Sequence, residues 1–330
     1  MRARVVAAGL ALLAGLAGCT AAEPARDAAE TTGAPEVTTS ASPVGAARLD
    51  CEELLPVAVA SDTLAVPESA LEGTRDGGTP GSATEIREAA QENGGLLTCS
   101  WFEKAGTAAM TVSLAEDAAE AFAASGRTAD ALATDAEAYG SCSAGSCGID
   151  LLTGSTWMTV TLAGAPEGTD LAALAEATAS SAVGSVDEPI TATAPVCAEL
   201  LTPDELAATA GLVEATPGAG TEGAPPASAS AAAAARAGYA SCTWTDASSS
   251  TYTGLTIDVL PHGERGWRDL SLEIGLAVPL EPLDGLGEKA LAGCAGGSCE
   301  IDVLSDGTWW RVLVTGDAAR AEAVARAVIA

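Results

Sequence analysis

Apolar and polar residues alternate most regularly in the run from Ile301 to Val314 (IDVLSDGTWWRVLV). Asp306-Gly307 is a type I′ turn signal within it, and counting outward pairs Leu304 with Trp309, Val303 with Trp310, Asp302 with Arg311 and Ile301 with Val312. A period of two then puts Ile301, Val303, Trp310, Val312 and Val314 on an apolar face. Asp302, Leu304, Trp309 and Arg311 fall on the other. The same hairpin stands earlier in the chain around Gly154-Ser155. Its apolar face is Ile149, Leu151, Met158, Val160 and Leu162, and its opposite face is Asp150, Leu152, Trp157 and Thr159.

Around the hairpins the pattern predicts helix, two strands, helix, two strands, helix. Thr202-Pro-Asp-Glu205 has the form of a capping box with Pro at the first helical position, and Gly211 can stop that helix. Strands follow at Ala240–Trp244 and Leu255–Val259. Residues 118–122 and 129–133 are helical candidates, and the closing helices are expected over Asp170–Val183 and Ala318–Ile329, with Thr169 and Asp317 as caps. The Gly-, Pro- and Ala-rich stretches 73–95 and 216–238 are expected to be loops. Antiparallel strands with helices on one face make an α+β domain.

This pattern occurs twice. Cys51-Glu-Glu-Leu-Leu returns as Cys197-Ala-Glu-Leu-Leu, Cys99-Ser-Trp101 as Cys242-Thr-Trp244, and Cys142-Ser-Ala-Gly-Ser-Cys147 as Cys294-Ala-Gly-Gly-Ser-Cys299. From Cys142 to Trp157 against Cys294 to Trp309, nine of 16 positions are identical without a gap. A period near 150 residues with two copies indicates tandem globular domains. The expected repeats are 49–186 and 195–330, joined by a linker at 187–194, and each is long enough for its own core.

Before the repeats, Arg2 and Arg4 precede an unbroken small-apolar run from Val5 to Ala17, too short to span a bilayer, which is the form of a signal peptide covering residues 1–18. It ends in Leu16-Ala17-Gly18-Cys19, which resembles the lipobox of bacterial lipoproteins, where the Cys sulfur is diacylated and the chain is cut just before it. The resemblance implies a palmitate-type anchor at Cys19 and a chain held to the bilayer without crossing it, since two acyl chains attach stably where one does not. Residues 19–48 are too poor in large apolar side chains to fold. As a coil of this length they span about 30 Å. The expected address is the outer face of the cytoplasmic membrane.

Charge and cysteines narrow the chemistry. Formal net charge is −30, and loss of Arg2 and Arg4 with the signal peptide would take it to −32. Nucleic acid is therefore excluded as a partner, because phosphate contacts need clustered Lys and Arg. Nine cysteines divide into the anchor and four per copy, which in an exported protein is a disulfide framework. Of three possible pairings per copy, Cys51–Cys99 with Cys142–Cys147, and Cys197–Cys242 with Cys294–Cys299, is favoured, because a four-residue Gly-containing loop lets the close pair meet. A four-thiolate zinc site is the competing reading of Cys-x4-Cys. The single histidine, His262 in Pro-His-Gly, is expected in a solvated turn, and without a partner histidine no Ser-His-Asp or Cys-His arrangement can be drawn. No metal or cofactor is expected.

Cys-x-x-Leu-Leu opening a helix, Cys-x-Trp on a strand and Gly285-Leu-Gly-Glu-Lys-Ala290 before a closing hairpin and helix together resemble a family of actinobacterial lipoproteins known only as a domain of unknown function. The resemblance covers both copies. It implies fold and address but no activity, and this chain departs from the pattern in its extra Cys pair and in lacking Gly-Leu-Gly in the first copy.

Trp101 and Trp244 share a strand face with a disulfide and are expected in the core. Trp157 and Trp309 stand among Asp150, Asp302 and Arg311, a face either covered by a loop or the other copy, or open as a binding surface. The expected function is a membrane-tethered binding or interaction module, not an enzyme, whose partner is an envelope protein, glycan or lipid. The alternative is an envelope hydrolase or transferase using carboxylates alone. An enclosed pocket with convergent acids would favour the alternative, and a shallow Trp-lined groove the first reading.

Overall fold

Two antiparallel seven-stranded sheets of one topology carry the molecule. The first is formed by β1 (Leu71–Gly73), β2 (Leu96–Glu103), β3 (Ala109–Ala115), β4 (Asp130–Ala131), β5 (Glu137–Ser143), β6 (Ser146–Thr153) and β7 (Thr156–Ala163), in the order β1-β2-β3-β7-β6-β5-β4. The second repeats it with β8 (Ala215–Pro217), β9 (Ala240–Asp246), β10 (Gly254–Leu260), β11 (Glu281–Pro282), β12 (Lys289–Ala295), β13 (Ser298–Ser305) and β14 (Thr308–Thr315), in the order β8-β9-β10-β14-β13-β12-β11. The computed structural model describes residues 48–73, 81–218, 220, 224–248, 253–273 and 275–330. The expected signal peptide, Cys19 and the tether up to residue 47 lie outside the described residues.

The hairpin registers are those the alternation predicts. Leu304 faces Trp309, Asp302 faces Arg311 and Ile301 faces Val312, while Leu152 faces Trp157 and Asp150 faces Thr159. Each close Cys pair bridges the preceding hairpin, Cys142 opposite Cys147 and Cys294 opposite Cys299, with Cα atoms 4.1 Å apart in both. Their turns are Ala144-Gly145 and Gly296-Gly297, all four at positive φ as a type I′ turn needs. Cys51–Cys99 and Cys197–Cys242 join the helices α1 (Cys51–Leu54) and α6 (Cys197–Leu200) to β2 and β9. All four disulfides match the favoured pairing.

On the outer face of each sheet lies a core of its own. Helices α2 (Val57–Leu64) and α5 (Leu171–Ser181) cover the first sheet, burying Leu54, Leu64, Val112, Ile149, Val160 and Leu174. The second core holds Leu206, Ile257, Ile301, Val303, Val312 and Val324. Its helices are α7 (Pro203–Glu205), extended by a π turn to Ala210, and α10 (Ala318–Val328). Thr202 makes the expected capping box with Glu205, and Gly211 closes the turn at φ 70°. The cap of α5 is Asp170, accepting from the Ala172 and Ala173 N–H groups, one residue beyond the expected Thr169. Trp101 and Trp244 pack into these cores, and the Trp101 indole N–H donates to Leu55 O at 2.9 Å.

Three expectations need correction. Residues 129–133 contain the short strand β4 and no helix. Stretches 73–95 and 216–238 carry α3 (Ser82–Asn93) and α8 (Ala229–Arg236). In α3 Ile86, Ala90 and Asn93 are buried at i, i+4, i+7 spacing, while α8 is almost pure Ala, the strongest helix former, capped by the Ser228 side chain. Finally, helices lie on both faces of each sheet and not on one. The expected linker 187–194 is itself pinned: the Ile190 N–H donates to Asn93 O at 2.6 Å and the Ala192 N–H to Arg236 O at 3.0 Å.

Helices therefore lie on both faces of each sheet, and the inner layer is exchanged. α3, which belongs to the first copy, packs on β10 and β14 of the second, whereas α8 of the second copy packs on β2, β3 and β7 of the first. The two helices also pack on each other. A Cβ on Gly94 would collide with the Ala233 carbonyl, so glycine is what lets the end of α3 reach the backbone of α8.

Candidate functional site

The exchanged helices roof the tryptophan faces. In the first copy Trp157 is fully buried with Phe122, Ala115 and Ala118 beneath Ala229, Ala232 and Ala233 of α8. Phe122, on α4 (Ala119–Ala124), meets its ring edge-on, centroids 5.4 Å apart. In the second copy Trp309 is fully buried with Leu260, Leu270 and Leu304 beneath Ile86 and Ala90 of α3. Trp267, on α9 (Glu264–Leu270), meets it edge-on at 6.0 Å. The residues expected as a possible binding surface, Trp157, Trp309, Asp150, Asp302 and Arg311, thus form the seam between the copies, and burying both indoles there removes a large apolar area from water.

Each indole N–H is satisfied by the carboxylate diagonally across the hairpin. Trp157 Nε1 donates to Asp150 Oδ1 at 2.9 Å, which also accepts from the Thr159 hydroxyl at 2.9 Å. The Ala229 N–H at the start of α8 donates to Thr159 Oγ1 at 3.1 Å. Trp309 Nε1 donates to Asp302 Oδ1 at 2.8 Å, but there the neighbourhood is charged. Arg311 donates through Nη1 to Asp258 at 2.8 Å, through Nη2 to Glu300 at 2.5 Å and through Nε to the Ser82 hydroxyl of α3 at 2.8 Å. Ser82 in turn donates to Glu300, and the Tyr239 hydroxyl donates to Asp258 at 3.1 Å.

Three buried carboxylates thus converge on one guanidinium. Burial, together with the charge of Glu300, holds the Asp302 carboxyl well above the usual carboxylate range, against the pull of Arg311 and Trp309. Burial opposes the charge on Arg311, yet Glu300, Asp258 and Asp302 outweigh it and raise its pKa further. Tyr239 is pushed up by burial and by Asp258. Asp302 Oδ2 is buried with no N–H or O–H group to accept from and has the Glu300 carboxylate beside it, which fits a neutral carboxyl group whose proton meets Glu300 better than a second buried anion.

Two clefts open where the exchanged helices meet the sheets, at related places in the two copies. The first, about 510 Å³, is lined by Arg48, Glu88, Glu92, Thr98, Asp187 and Arg265 among others. Both of its arginines are paired, Arg48 with Asp187 at 2.6 Å and Arg265 with Glu92 at 3.4 Å. The second, about 680 Å³, has walls of Ala and Pro from 194–195, 224–227 and α8, with Tyr239 among its lining residues. Arg87 and Gln91 of α3 reach it from the other copy, and no carboxylate lines it among the described residues. Asp258, Glu300 and Asp302 line neither cleft.

The other expected residues fall as follows. The eight repeat cysteines are all in disulfides, and no cluster of His, Cys, Asp and Glu suited to a metal ion occurs among the described residues. His262 is exposed in a turn at φ 55°, its carbonyl accepting from the Asn93 side chain of the other copy at 2.9 Å. No helix among the described residues is long and apolar enough to cross a membrane. Trp267 and Ser82 escaped the sequence reading. The signal for Trp267 was its place after the strand, matching Phe122; Ser82 carried none. Comparison of the chain with known protein families, curated proteins and solved structures finds no match.

Proposed function

We propose that this chain is a lipid-anchored binding module of the cell envelope, held through Cys19 at the outer face of the cytoplasmic membrane, and that its ligand site is the larger cleft between the copies. One observation carries the site: a concavity of about 680 Å³ with mostly apolar walls and a few polar groups, drawn from both copies, has the size and lining of small-ligand pockets. The groove differs from the expected one, for Ala and Pro line it and the tryptophans do not. The anchor rests on the Leu-Ala-Gly-Cys19 motif after its apolar run. The carboxylate-only hydrolase draws no support from the geometry, because the buried acids reach neither cleft.

Two measurements test this reading. An environment-sensitive apolar dye should bind the full chain saturably at one site, and Ala231→Trp, on the cleft side of α8, should abolish that binding. Dye binding that does not saturate, or that ignores the substitution, defeats the cleft. Separately, the exported native chain should partition into the detergent phase and Cys19→Ser into the aqueous phase; a native chain that stays aqueous defeats the anchor.

A further inference from the structure

Resting on the cleft reading above, we infer that the larger cleft takes a long-chain carboxylate, a molecule with one apolar tail and a single negative charge that meets Arg87. The walls supply the first half of the match. Pro195, Pro225, Pro226, Ala231 and Ala234 present apolar surface. Tyr239, which also lines the cleft, is fixed by its hydrogen bond to Asp258 and so adds a rigid wall. A tail gains free energy in proportion to the apolar area it buries there.

Charge supplies the second half. In a chain of net charge −30, a cleft whose described lining holds a guanidinium and no carboxylate is an exception that needs a cause. Arg87 is exposed and makes no ion pair among the described residues. The companion cleft shows the contrast, since both its arginines are already paired within the protein. Gln91 lies one helical turn from Arg87 and also lines the larger cleft, adding an amide donor beside the guanidinium fork that fits a planar carboxylate. A cationic amphiphile would meet Arg87 with no carboxylate among the described lining residues to offset it. A doubly charged phosphate would keep one charge unmatched inside an acidic protein.

The test is calorimetric titration of the unlipidated full chain with dodecanoate, dodecanol and dodecyltrimethylammonium, each below its micelle concentration. Dodecanoate should bind once per chain, about fivefold more tightly than dodecanol, the upper range for a solvent-accessible ion pair, and the ammonium more weakly than either. Arg87→Gln should bring dodecanoate down to the alcohol without changing the alcohol, and Arg87→Glu should reverse the order in favour of the ammonium. Ala231→Trp, and independently Ala235→Trp on the exposed side of α8, should abolish all three. If the alcohol binds the native chain as tightly as the carboxylate, or Arg87→Gln leaves their difference intact, the carboxylate is overturned while the cleft survives. If binding persists in both Trp variants, or none of the three compounds binds, the cleft assignment fails with it.

Discussion

Beneath α8 the first sheet presents Trp157, Asp150 and Thr159, and beneath α3 the second presents Trp309, Asp302 and Arg311 at the same register positions. What the two faces share is the indole buried edge-on against an aromatic ring and bonded to the carboxylate diagonally across the hairpin. What differs is charge. Ser113 and Gly148 stand in the first copy where Asp258 and Glu300 stand in the second. The roofing helices differ to match: α3 starts 17 residues before Cys99 and α8 starts 13 before Cys242 (99 − 82 and 242 − 229). Those four residues are about one helical turn, and Ser82 sits in that extra turn. The shared device holds the copies together, and the charged network is an addition that only the longer helix can reach.

The largest effects should test the shared device. Trp157→Ala and Trp309→Ala are each expected to cost about 3–5 kcal/mol, and they should do so by a similar amount, read as the loss of unfolding midpoint in urea. Each indole seals one copy against the other. A large cost at Trp309 with a negligible one at Trp157 would show that the network, not the packing, holds the seam.

Arg311→Met comes next. Removing one partner of a buried pair costs about 3–5 kcal/mol, because Asp258 and Glu300 then lose the cation that both bind. Thr159→Val, the corresponding change in the first copy, should cost about 1 kcal/mol. Equal losses of unfolding midpoint in the two variants would remove the distinction drawn here.

Much of this seam was legible and its cover was not. Asp306-Gly307 and strict alternation set the hairpin register, so the Trp-Asp face could be derived, and the repeated cysteine spacing gave the disulfides. The roof was hidden because α8 is built of alanines, whose small side chains leave hardly any apolar periodicity to read, and because both roofing segments lie among glycines and prolines that signal loops. Ala is also what lets a helix approach a sheet and a second helix closely, so the feature that concealed α8 is the one that suits it to its place. The Arg311 network was illegible for another reason. Asp258, Glu300 and Ser82 lie far apart in sequence, and in a chain with 45 acidic residues no single carboxylate stands out.

Asp302→Asn should act in the opposite direction. Its carboxyl titrates well above the usual range in the folded protein, so the folded state holds a proton that the unfolded state has released, and stability falls as pH rises from about 4 toward the folded pKa. An amide keeps the acceptor for Trp309 and offers Glu300 a donor in place of the carboxylic proton. The variant should therefore match the native protein near pH 4 and exceed it by about 1–3 kcal/mol at neutral pH, with a flatter pH profile in thermal melts. Asp150→Asn should gain nothing, since Asp150 is half-buried and accepts two hydrogen bonds. A destabilised Asp302→Asn at pH 7 would mean that the carboxylate is needed in its charged form.

Ser82→Ala probes the one strand of the network that crosses between the copies. The hydroxyl accepts from Arg311 Nε and donates to Glu300, so its loss strips one bond from each charged group while leaving Arg311 bound to both carboxylates. A cost of about 1 kcal/mol is expected, the smallest of the series. Its signature is coupling: combined with Arg311→Met, the serine change should add almost nothing, because its partner is already gone. Combined with Trp157→Ala, on the other sheet, the two costs should add. Additivity with Arg311→Met would place Ser82 outside the network.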